Sequence, residues 1–131
     1  MNALNMYQSV NRQTGVVDAD RHRLIQMLFD GALERISMAK GLIQRQDFEG
    51  KNRLISKAIE IVGGLRGFLD AKKGGEMAEN LERLYEYLEF RLFQANVKND
   101  IEMLDEVASH LHKVKEGWDG IREQVLKEGL V

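Results

Sequence analysis

The run Leu81-Glu-Arg-Leu-Tyr-Glu-Tyr-Leu-Glu-Phe-Arg-Leu-Phe-Gln-Ala95 carries two patterns at once. Leu81, Leu84, Leu88, Leu92 and Ala95 recur at steps of three and four residues, the period of a helix with one apolar face. Tyr87, Phe90 and Phe93, continued by Val97, follow the same steps on the opposite side. The first set predicts a helix packed into a core. The second places large apolar side chains where that packing has no use for them.

Working outward, this helix runs from about Glu76 to Val97, and Lys98-Asn99-Asp100 ends it and caps the next. Before it, Leu54, Ile55, Ala58, Ile61, Val62, Leu65 and Leu69 predict a helix from about Lys51 to Leu69. Its expected stop is Ala71-Lys-Lys-Gly-Gly75, where lysines suit the negative helix end and Gly supplies a left-handed cap. Further upstream, Asp20 is placed to cap a helix reaching about Gln46 on Leu24, Leu28, Ala32, Ala39, Leu42 and Ile43, followed by the turn Asp47-Phe-Glu-Gly50. The last helix uses Ile101, Leu104, Val107, Ala108, Leu111, Val114, Trp118 and Val125, and frays near Gly129. Short connections force neighbouring helices antiparallel. The expectation is an all-α, up-down four-helix bundle over residues 20–131, preceded by a loosely ordered N-terminal arm over residues 1–19.

Composition agrees. A chain of 131 residues makes one domain, and with Cys at 0 it holds no disulfide, thiolate metal site or thiol nucleophile. Pro is also 0, where average usage of about 5% would give six or seven, as suits a chain of helices. Nineteen basic against 21 acidic residues leave a net charge of −2, which suggests neither a nucleic-acid surface nor an anionic-membrane surface. No long apolar run and no signal-peptide pattern occur, so the expected location is cytoplasmic.

The helices carry more apolar surface than a bundle consumes. With Leu24 at zero and about 100° per residue, the core stripe of the first helix centres near Leu28, Ala32 and Ala39. Phe29 and Leu33 then fall on one flank, and Met27 and Met38 on the other. Such side chains either tuck under the arm or a neighbouring helix, or mark a partner site. Gly63-Gly64, with Gly67, falls on the back of the second helix; it is either tolerated exposed glycine or a smooth floor for another backbone.

Catalytic patterns are lacking. His22 reads as a lone exposed imidazole in the first turn. His110 and His112 diverge by about 200° on a helix and cannot share a metal. Glu106 and His110 share a face but supply two ligands at most, and no Glu-x-x-His occurs. Neither nucleotide-binding glycine motif is present. The expectation is no enzyme, no metal and no cofactor. Two specific readings of such a bundle are a helical adaptor for a regulatory partner and a histidine phosphotransfer domain. The latter would use His112 with Lys115 at +3, but Glu116 stands at +4, where a small residue is needed.

Three stretches carry a collinear family likeness: Leu24-Ile-Gln-Met-Leu-Phe-Asp-Gly-Ala-Leu33, Lys57-Ala-Ile-Glu-Ile-Val62, and Lys73-Gly-Gly-Glu-Met-Ala-Glu-Asn-Leu-Glu-Arg-Leu-Tyr-Glu-Tyr87, continuing to Arg91-Leu-Phe-Gln-Ala-Asn96 and ending at Trp118. The sequence resembles the FliS family of flagellar secretion chaperones. It departs from the family where Asp20-Arg21 replaces Ser-Pro, where Phe29 replaces a Tyr, and where Phe90 replaces a polar or basic residue. The resemblance implies binding of the disordered C-terminal segment of flagellin in apolar grooves, protection from premature polymerisation, and docking on the flagellar export gate. It also implies an N-terminal lid bearing an aromatic residue, here Tyr7. The expected client-binding residues are Tyr7, Phe29, Leu33, Gly63, Gly64, Tyr87, Phe90, Phe93 and Val97. No nucleic acid or membrane is expected as a partner, and the free protein is expected to be a monomer or weak dimer.

Overall fold

The computed structural model describes residues 21–120. Four helices follow in order: α1 Arg21–Gln44, α2 Phe48–Gly67, α3 Ala71–Lys98 and α4 Ile101–Asp119. Each packs on the next and α4 closes on α1, giving the expected antiparallel bundle. The cap expected at Asp20 and the arm over residues 1–19 lie outside the described residues, as does the continuation of the last helix toward Gly129.

Short polar devices set the turns. Gln46 takes a positive φ of 60°. Its N–H donates to the Ile43 carbonyl at 3.0 Å, and the Asp47 N–H donates to that of Leu42 at 2.9 Å, closing α1. Asp47 then caps α2 by accepting from the Gly50 N–H at 3.0 Å. A Cβ on Gly50 would come within 3.0 Å of both the Asp47 carboxylate and Leu42, so the turn closes tightly only around glycine. Between α3 and α4, Asn99 is left-handed (φ 52°), and Asp100 accepts from the Met103 N–H at 3.1 Å.

The junction of α2 and α3 corrects the sequence reading. Ala71–Gly74 does not end α2, which stops at Gly67. It forms the first turn of α3, with Asp70 accepting from the Lys72 and Lys73 N–H groups at 3.0 and 3.1 Å. Gly75 does adopt a positive φ (54°, with ψ −133°), but as a break between that turn and the long body of α3. The non-helical ψ at positive φ is territory that only glycine enters at low cost.

The register of α1 is a second correction. Ile25 and Ile36, outside the predicted stripe, are buried together with Leu28, Ala32 and Ala39. On the helical wheel they lie between Ala32 and Phe29, so the inward arc is rotated and takes in Phe29, which is 1% exposed. Met27 and Met38, on the other flank, are exposed.

Two polar residues close opposite ends of the bundle. His22, expected in solvent, is 1% exposed. Its ring stacks on Trp118 with centroids 4.7 Å apart and planes 11° from parallel. The His22 Nε2 lies 2.6 Å from the Trp118 carbonyl, which can only accept, so the proton sits on Nε2. In return the Trp118 indole N–H donates to the His22 carbonyl at 3.0 Å. At the other end, buried Lys51 donates from Nζ to the Asn96 carbonyl at 2.8 Å and to its side-chain oxygen at 2.9 Å. Burial holds the Lys51 ammonium below its ordinary pKa.

Candidate functional site

α3 presents its second stripe outward as expected. Leu88, Leu92 and Ala95 are fully buried, whereas Tyr87, Phe90, Phe93 and Val97 are between 45% and 67% exposed. The inward residues pack into the core without them. Removing this outer row from water therefore needs something beyond the described residues, and each large side chain so buried contributes roughly 1.5–3 kcal/mol.

Tyr87 stands on the α4 side of the row and is braced. Its hydroxyl donates to Glu106 Oε1 at 2.7 Å. Arg91, one turn further along α3, donates to the same carboxylate from Nε and a terminal nitrogen, both at 3.1 Å. The His110 ring meets the Tyr87 ring edge-on at 6.2 Å. The Arg91 bond, and after it that of Tyr87, holds Glu106 below the usual carboxylate range, while the bond to Glu106 raises the Tyr87 phenol. Sequence spacing places Tyr87 and Arg91 on one face of α3. Only the packing of α4 shows that Glu106 receives both.

The other expected site residues fare differently. Phe29 lies inside the core and does not line a surface. Leu33 is half-buried against that core. Gly63 and Gly64 are half-buried, but a Cβ on Gly63 would meet Glu89 Oε1 of α3 at 3.0 Å, so this chain's own side chain occupies the expected floor there. Glu89 is in turn paired with Arg66 at 3.1 Å. Gly67 has nothing within 4 Å of a Cβ. Tyr7 lies outside the described residues.

The phosphotransfer alternative loses its lysine. His112 is exposed, but Lys115 is held by Asp30 of α1 at 2.7 Å, away from any group transferred to His112. Among the described residues no three of His, Asp and Glu converge to hold a metal, and no helix is long and apolar enough to cross a membrane.

Residues 3–125 match the family model described as flagellar protein FliS. The chain is similar to the flagellar secretion chaperone FliSB of Pseudomonas aeruginosa, with 52% identity over 121 residues covering 92% of this chain and 96% of that protein. It is similar to the flagellar secretion chaperone FliS of Salmonella typhimurium, 40% identical over 119 residues covering 90% and 88%. It is also similar to that of Escherichia coli, 34% identical over 126 residues covering 95% and 90%. With the match running through all four helices and the outward row of α3, the chain belongs to the FliS family of flagellar secretion chaperones.

Proposed function

We propose that this protein binds the disordered C-terminal segment of flagellin on its apolar surface, keeps it from polymerising early, and delivers it to the flagellar export gate. The observation that carries this reading is the row Tyr87, Phe90, Phe93 and Val97, exposed on a bundle whose core packs without it. The guest is an amphipathic segment that is unfolded alone and becomes ordered as its apolar face meets the row. Coupled folding of this kind buries on the order of 1,000–3,000 Å² and spends about 2–5 kcal/mol on ordering. The outcome is retention firm enough for protection and weak enough for release. The protein acts in the cytoplasm, by binding alone, without catalysis and without consuming nucleotide.

In this reading the N-terminal segment with Tyr7 competes for the contact region as a lid. A lid closed in some fraction of molecules lowers apparent affinity by that fraction. Deleting residues 1–17 is therefore expected to leave binding of a flagellin C-terminal segment intact or tighter in calorimetry. Disappearance of binding would make that segment an essential contact.

The decisive test is Phe93→Asp, measured by calorimetric titration of the same segment. Affinity is expected to fall at least about tenfold, as for an anchor residue at an interface centre, while far-ultraviolet circular dichroism stays native. Native dichroism with unchanged affinity would remove the row from the binding surface.

A further inference from the structure

One residue of the outward row on α3 is held in place by its neighbours. Tyr87 stands at the α4 edge of the row and is gripped from α4 at two points. Its hydroxyl donates to Glu106 Oε1 at 2.7 Å, and the His110 ring meets its ring edge-on at 6.2 Å. Glu106 and His110 are four residues apart and so share one face of α4. Phe90 and Phe93, further round α3, have no ring partner among the described residues. The acceptor is itself fixed. Arg91 donates to both oxygens of the Glu106 carboxylate, each at 3.1 Å, and to Gln94 Oε1 at 3.0 Å. Val107, next in the chain to Glu106, is fully buried, so the carboxylate rises from a packed base. Beyond this cluster, from Lys113 to Trp118, α4 borders a cavity of about 280 Å³.

We infer that Glu106 is a positioning residue for the guest segment: by accepting from Tyr87 it fixes the phenol ring before contact, so the guest meets that ring already in place. The inference rests on the client reading above and adds to it a residue that sets affinity through a neighbour. An unbraced phenol side chain loses its rotamer freedom on association, which weakens binding by about two- to tenfold for each side chain so ordered. A short hydrogen bond to an ionised, forked carboxylate removes much of that freedom in advance. Glu106 is poorly placed to bind the guest itself. Of about four acceptor sites on a carboxylate, three are taken by Tyr87 and Arg91. Stability does not account for the arrangement either, since ion pairs at the surface contribute little to it.

The brace is tested first without a guest. In nuclear magnetic resonance of the full chain, the Hα–Hβ couplings of Tyr87 should report a single χ1 rotamer, and Glu106→Ala should average them. A flagellin C-terminal segment is then titrated calorimetrically into the wild type, Glu106→Ala, Tyr87→Phe and the double variant. Tyr87→Phe keeps the ring and removes the bond. Each single substitution should weaken binding by a similar factor, about two- to tenfold, and the double variant by no more than either alone. Glu106→Gln retains an acceptor for the hydroxyl and should bind more tightly than Glu106→Ala. The Tm of every variant should stay within a few degrees of the wild type.

Averaged Tyr87 couplings in the wild type, or wild-type affinity in Glu106→Ala, would overturn the positioning role and leave the client reading standing. So would losses that add in the double variant, which would mean that the guest touches Glu106 directly, or equal affinities of Glu106→Gln and Glu106→Ala. Absence of any calorimetric binding to the wild type would overturn the client reading and the positioning role with it.

Discussion

Trp118→Ala is expected to lower stability by roughly 3–5 kcal/mol, the cost of deleting a large buried aromatic side chain. The indole does more than fill space. It stacks on His22 and donates to the His22 carbonyl, so it joins the last turn of α4 to the first turn of α1. Alanine leaves that carbonyl without its donor and deprives the imidazole of its stacking partner. The emptied volume also opens into a cavity that already exists, so no neighbour is pressed to collapse into it. In thermal unfolding the loss corresponds to a fall in Tm on the order of 10–20 °C. Trp118→Phe should recover a large part of it, since the phenyl ring keeps the stacking and loses only the N–H. A melting temperature unchanged by the alanine substitution would place Trp118 outside the core.

Phe29→Ala is the second large effect, again roughly 3–5 kcal/mol, and it tests the corrected register of α1. Phe29 is among the largest fully buried side chains, with Ile36, Ile55 and Leu92 in the same core cluster. Thermal unfolding should show a drop comparable to that of Trp118→Ala. The affinity for a flagellin segment, measured at a temperature where the variant is folded, should stay near that of the wild type. Phe93→Asp should show the reverse, with stability kept and affinity lost. Two phenylalanines of one chain thus separate what holds the bundle together from what the bundle offers. A Phe29→Ala protein of native stability with impaired binding would return Phe29 to the surface.

The bundle and the outward row of α3 were legible in the sequence because both are periodic over many residues. Leu81 to Val97 leaves little freedom: once Leu88 and Leu92 face inward, Phe90 and Phe93 face outward. The stripe of α1 was less determinate. Its apolar residues spread over a wide arc, and leaving out Ile25 and Ile36 displaced the centre enough to expel Phe29. The stretch Ala71–Gly75 was ambiguous for a different reason. Lysine and glycine after a helix suit a C-terminal cap, but the Asp70 carboxylate settles the matter by binding the N–H groups that follow it. The partnerships of His22 and Lys51 were not legible at all. Each is a polar side chain whose burial is decided by residues 96 and 45 positions away, and no local pattern carries that information.

Lys51 has a mechanical consequence for the exposed row of α3. The Asn96 carbonyl belongs to the last turn of α3, where the helix has no N–H of its own to offer. A charged donor from α2 supplies the missing bond, so one helix terminates another across the seam. Fraying of α3 is thereby checked one residue before Val97, at the free edge of the apolar row. A segment landing there would encounter a stiff shelf instead of a loosening coil, and little of its association energy would go into tidying the host.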